Sequence, residues 1–198
     1  SALSATYQSA SIAAEELRTE FPEAEICVVD SLCASLGQGL LVWLCAQERK
    51  KGRSLAEVRD FAEAVKGRIC HWFTVDDLNH LKRGGRISAA TALFGTMLSI
   101  KPVMHVDDGG RLTPVGKTRG RRASLLALVN EMEKTAPEPE RQTVFISHGD
   151  CLADAEFVAE EIRRRFGTRD IHINYVGPVI GSHSGPGTVA LFFTGSPR

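Results

Sequence analysis

The sequence predicts an α/β protein of two α/β domains, the first of them incomplete at its N-terminus. Three observations lead there. Short apolar runs at 25–30 (EICVVD) and 143–147 (TVFIS) have the length and composition of strands buried in a sheet. Segments with apolar residues at helical spacing alternate with such runs, as in folds that layer helices on a sheet. The chain opens on SALSATYQSA without an initiator Met, as if in the middle of a structural unit. A boundary near Gly67 separates residues 1–67, the C-terminal part of the first domain, from residues 68–198, the second.

The first segment carries Tyr7, Ile12, Ala13 and Leu17 at helical spacing behind three small hydroxyl residues, Ser1, Ser4 and Thr6. A loop entering a helix presents free N–H groups beside hydroxyls, which suits either a simple cap or an anionic head group. After the 25–30 strand, residues 37–51 read as a helix with Leu40, Leu41, Leu44 and Cys45 inward. Ser54 caps the next one, through Val65, with Glu57 completing a capping box.

Residues 69–75 (ICHWFTV) are strand-like, and His71 inside them is expected to be a packed, hydrogen-bonded imidazole. The stretch 74–88 (TVDDLNHLKRGGRIS) reads as a helix capped by Thr74 that stops at Gly84 in a left-handed conformation. Arg86 is then held on a tight turn, followed by the Ser88 hydroxyl. That turn is either a solvated basic helix end or a grip for a carboxylate or phosphate. Residues 89–99 are small and apolar. Leu93, Phe94, Met97 and Leu98 there, with Ile100 beyond, suit a core helix or a wall for an alkyl chain.

Asp107-Asp108-Gly109-Gly110 between strands 100–106 and 111–118 is a hairpin signal. The return arm, GRLTPVGKT, imitates a phosphate-binding loop, but its glycines are one residue too far apart and Pro114 interrupts it. Residues 119–135 begin with a basic turn and become a helix, APEPE is a short linker, and 148–167 form a helix with an acidic start and a basic end. Residues 170–176 are a further strand. Finally, GSHSGPG (181–187) reads as a glycine-freed loop before a last strand at 188–193. It places His183 where an imidazole donates to a carboxylate or acts as a base. His148, Asp150 and His183 lack the spacing of a zinc site, so no metal is expected.

With 198 residues, 43% hydrophobic content and 24 basic against 24 acidic side chains, the chain has no general field to draw in nucleic acid. Only the cluster Arg119, Arg121 and Arg122 is locally basic. No apolar run approaches the roughly 20 residues of a membrane span and no signal peptide is evident, so a cytoplasmic location is expected. Cys27, Cys33, Cys45, Cys70 and Cys151 are never spaced as C-x-x-C and read as reduced, mostly buried thiols.

SALSATYQSA, FTVDDLNHLKRGGRIS, IKPV before DDGG, KTRGRRAS and GSHSGPG, in this order and over essentially the whole chain, resemble the DegV family of bacterial fatty-acid-binding proteins. The resemblance implies two α/β domains with a long-chain fatty acid between them, its carboxylate at the junction and its tail in an apolar tunnel. It implies that Ser1, with Ser4 and Thr6 in the same serine-rich loop, bonds the carboxylate and that Arg86 and His183 join this network. Leu93, Phe94, Met97, Leu98 and Ile100 are then expected along the tail. Arg119 matches a basic surface position connected with a partner or with transient contact at a membrane surface.

In the family, such carriers present the carboxylate to a separate ATP-dependent fatty acid kinase, so the chain is expected to be a lipid-binding subunit and not an enzyme, with no cofactor beyond its lipid. A family member is also expected to begin with about one hundred further residues. Their first strand and threonine-containing loop belong to an N-terminal fragment missing from this chain. The alternative, an enzyme or kinase subunit of dihydroxyacetone-kinase-like fold using His183, predicts a small polar pocket in place of a long apolar one. A regulatory module built on the Arg119 to Arg122 cluster predicts salt-sensitive binding to nucleic acid or acidic lipid.

Overall fold

Strand residues that alternate between two buried faces need helices on both sides, and the chain supplies them. The computed structural model describes residues 1–88 and 99–196. Three helices come first, α1 (Thr6–Glu20), α2 (Leu36–Lys50) and α3 (Leu55–Val65). Then follow β1 (Ile69–Thr74), α4 (Leu78–Arg83), the hairpin β2 (Ile100–Val106) and β3 (Leu112–Arg119), and α5 (Arg121–Thr135). The chain closes with β4 (Thr143–His148), α6 (Leu152–Phe166), β5 (Asp170–Tyr175), α7 (Pro178–Ser184) and β6 (Val189–Thr194).

The strands make one sheet in the order β3-β2-β1-β6-β4-β5. Among the described residues, only β4 and β5 pair in parallel; the other ladders are antiparallel. Cys70 and Trp72 of β1, Val144 and Ile146 of β4, and Leu191 and Phe193 of β6 pack with Leu128, Met132 and Ile162 in one core. The intervening residues, Ile69, Phe73, Phe145 and Phe192, pack with Leu40, Leu41, Leu78 and Leu81 in another. Each such side chain contributes about 1.5–3 kcal/mol by leaving water, so both faces of the sheet are stabilised from outside.

Most elements fall where hydrophobic period and caps place them. Ser54 and Glu57 form the reciprocal capping box, with Glu57 N–H donating to Ser54 Oγ at 3.3 Å and Ser54 N–H to Glu57 Oε2 at 2.8 Å. The hairpin is present, and the sequence that imitates a phosphate-binding loop is its return strand β3.

Four expectations are corrected. Residues 25–30 are not a strand: they find no ladder partner among the described residues, and a strand exists only through its pairing. Thr74 does not cap α4, because its backbone ends β1 opposite Val189; Asp77 is the cap, accepting the Asn79 N–H at 2.8 Å. The left-handed residue after α4 is Gly85 at φ 69°, while Gly84 stays right-handed at φ −73°. Of the five cysteines, all free, only Cys70 is buried. The stretch 89–98 lies outside the described residues.

The hairpin turn is stiffened by Asp107, whose carboxylate accepts the Arg111 N–H at 2.9 Å. That backbone hydrogen bond holds the Asp107 carboxyl below the usual carboxylate range. The ionised form is therefore favoured by folding. Its contribution is complete above the ordinary value of about 3.9 and is lost as pH falls through the lower folded one. Replacing Asp107 by Asn is expected to lower the thermal midpoint at pH 7 and to bring the two proteins together at the acid end of a titration from pH 7 to 3. A constant offset at every pH would show that the charge is not responsible.

Candidate functional site

A cavity of about 480 Å³ lies between the N-terminal helical segment and one face of the sheet. Its floor is cut by strand alternation: His71 and Phe73 of β1, Ala190 and Phe192 of β6, and Ser147 of β4. The start of α1 and the 30–35 loop cover it. The turn after α4, the hairpin tip and α7 also contribute to its wall. Leu3, Leu32, Leu81, Leu112, Val179 and Ile180 make the wall largely apolar.

Ser1, Ser4, Thr6, Arg86 and His183, far apart in sequence, all line this cavity. Arg86 is half-buried, and its Nη1 donates to the Gly84 carbonyl, which folds the guanidinium back over its own turn. It forms no ion pair among the described residues, so most of its N–H donors remain open to an anion. His183 is not on a loop, as GSHSGPG suggested, but in the last turn of α7. Pro178 starts that helix, and Gly185, at φ 78°, ends it.

Glycines bring these two elements together. A Cβ built on Gly84 would collide with Nδ1 of His183, one on Gly185 with the His80 ring, and one on Gly187 with the Asp76 carboxylate. Asp76 is held in turn by Lys101 at 2.8 Å and faces Arg121 at 3.6 Å, and Arg121 also pairs with Asp154 at 2.8 Å. This ionic chain ties the entrance of α4 to β2, α5 and α6.

Several polar groups of the cavity wall are already occupied. His71 is packed and hydrogen-bonded as expected: Nδ1 lies 2.8 Å from the Ile69 carbonyl and Nε2 accepts the Ala34 N–H at 3.3 Å. Those partners assign the proton to Nδ1. Ser35 donates to Ser147 at 3.1 Å. The Ser1 hydroxyl donates to Asp30 at 2.5 Å and has no second proton for a ligand carboxylate. Burial works against charge on Asp30, but the Ser1 hydrogen bonds and the Leu32 N–H outweigh it and hold the carboxyl below its ordinary value. Ser4 donates to Thr6 Oγ1 at 3.0 Å, and the Thr6 hydroxyl proton has no acceptor among the described residues.

Ile100 does not line the cavity: it starts β2, six residues from the lining residue Val106, or about 20 Å along a strand. Leu93, Phe94, Met97 and Leu98 lie outside the described residues. Arg119 is exposed at the end of β3 and does not line the cavity. Asp30, His71, Ser147 and Ser184 were not singled out as site residues. Of these only Ser184 had a visible signal, its place beside His183 in the glycine-rich motif. Ser184 is buried, and its hydroxyl has no hydrogen-bond partner among the described residues.

The family model for DegV, described as an uncharacterised protein family, matches residues 1–195. The chain belongs to the DegV family. A DegV domain-containing protein of Clostridium perfringens is 51% identical over 198 residues, all of this chain and 68% of that relative. A DegV family protein of Thermus thermophilus, whose structure is described by its fatty acid binding, is 32% identical with a TM-score of 0.84, over 98% of this chain and 67% of that one. The Streptococcus pneumoniae fatty acid kinase B3 protein, loaded with linoleic acid, has a TM-score of 0.89 at 23% identity over 97% of this chain and 68% of that one, a likeness of fold. Among the described residues of this DegV chain, no helix is long and apolar enough to cross a membrane.

The contact between Gly84 and His183 is open to direct test. Gly84 has an ordinary helical backbone, so Gly84→Ala acts through its methyl group alone. It is expected to displace the His183 ring, cost about 1–3 kcal/mol of stability, and raise amide hydrogen exchange across Gly181 to Gly185. Unchanged exchange there would show that α7 does not depend on this contact.

Proposed function

We propose that this chain holds a long-chain fatty acid in the cavity between its N-terminal segment and the sheet and presents the carboxylate to a separate ATP-dependent kinase. The observation that carries the reading is a largely apolar cavity whose wall contains both the imidazole of His183 and the guanidinium of Arg86, which forms no ion pair among the described residues. Burying an alkyl chain gains about 0.8 kcal/mol per CH₂, so a dozen methylenes supply on the order of 10 kcal/mol toward the cost of association. The carboxylate needs partners inside, because an unpaired buried charge costs several kcal/mol.

Arg86, His183 and the free Thr6 proton are the donors we assign to it, with Ser4 acting through Thr6. Ser1 joins them only if Asp30 releases its hydroxyl. In this reading the chain supplies binding and presentation, while phosphoryl chemistry belongs to the kinase. The exposed Arg119, with Lys117 on the same edge strand, is the surface we assign to that partner. The domain arrangement that goes with it sets residues 68–198 as one unit and residues 1–67 as the part of another that closes the cavity.

The relatives support the ligand class: the Thermus thermophilus DegV protein is described by its fatty acid binding. Denaturing mass spectrometry of purified protein is expected to release a long-chain fatty acid, and Arg86→Ala and His183→Ala are each expected to weaken oleate binding by roughly tenfold or more. Protein that emerges empty and also fails to take up labelled oleate would overturn the proposal.

A further inference from the structure

We propose that Ser184 is a head-group donor of the cavity, its hydroxyl hydrogen-bonding the ligand carboxylate directly or through one bound water. This rests on the fatty-acid reading above and makes it specific: the site selects an acid over its ester. Ser184 lines the cavity and is only 4% exposed, yet its Oγ has no hydrogen-bond partner among the described residues. Buried hydroxyls without partners are uncommon in native proteins, since the group has given up water and received nothing in return.

The surroundings show why the protein does not relieve the problem alone. Thr188 Oγ1 lies 3.2 Å from the Ser184 carbonyl and 2.8 Å from the Gly185 carbonyl, which fixes the backbone from behind. Gly185 itself is held against the His80 ring, where a side chain would collide. The backbone that carries the hydroxyl is therefore held in place beside the cavity. An alanine would fill the same space with no polar group to satisfy. A serine there is explained when its partner arrives with the occupant of the cavity, and a carboxylate, which only accepts, is the part of a fatty acid that takes its proton.

The test separates this role from a structural one by comparing ligand-free stability with affinity. Ser184→Ala is expected to melt at or above the wild-type temperature without ligand, because an unsatisfied group has been removed. It is also expected to bind oleate roughly ten- to hundredfold more weakly. The preference for oleate over methyl oleate falls with it, and Ser184→Thr, which keeps a hydroxyl, retains most of the affinity. Should Ser184→Ala fail to fold, Ser184→Cys, with its weak donor, takes its place in the same comparison. A ligand-free variant that melts well below wild type, or one that binds oleate as tightly, overturns the assignment of Ser184. Wild-type protein that binds no oleate overturns the carrier reading itself, and this inference with it.

Discussion

The close approach of α4 and α7 is the constraint on which the site depends. Arg86 follows α4 and His183 ends α7, more than ninety positions apart. They come together because β1 and β6 are antiparallel neighbours, with Thr74 opposite Val189, so the chain leaves one strand where it enters the other. Adjacency of strands is not enough. The missing side chains of Gly84, Gly185 and Gly187 let a ring, a second ring and a carboxylate settle against backbone. A Cβ at any of them would make the facing ring or carboxylate shift.

The cavity wall sorts its polar groups into two kinds. His71, Ser35, Ser147 and Ser1 are already engaged with protein partners, and they hold the 30–35 loop and the start of the chain over the sheet. Leu32 and Ser35 sit at φ 52° in that loop, a backbone conformation uncommon for residues with a side chain. Arg86 gives one N–H to the Gly84 carbonyl and forms no ion pair among the described residues, and the Ser184 hydroxyl has no hydrogen-bond partner among them. Engaged groups shape a cavity; unengaged ones are available to a guest.

Local signals made much of the fold legible. The capping box at Ser54, the hairpin at Asp107 and the charge gradient along α6 each depend on a few neighbouring residues, and each is where the pattern places it. Elements that depend on distant partners were not legible in this way. EICVVD has the composition of a strand but no ladder partner among the described residues, and composition cannot show a partner. The short helix α7 was hidden because Gly177 and Gly181 look like loop residues, although Pro178 marks its start. For the site, the motif resemblance singled out five residues that line one cavity. It passed over Asp30, which accepts the hydrogen bond of the Ser1 hydroxyl, because the two meet only through folding.

The unengaged donors also carry an energetic consequence. A buried hydroxyl without a partner among the described residues, Ser184, and a half-buried cation without a counter-ion among them, Arg86, are a cost borne by the ligand-free protein, about 1–3 kcal/mol for each unsatisfied polar group. An alkyl chain alone would leave that cost in place, because methylenes cannot accept a proton. A carboxylate relieves it, so the free energy of satisfying these groups appears as binding free energy that favours the acid. By linkage, the folded state gains stability as the acid saturates it, by RT ln(1 + [L]/Kd). On the proposed reading, the polar end of the cavity decides which lipid is held, while the apolar wall supplies most of the affinity.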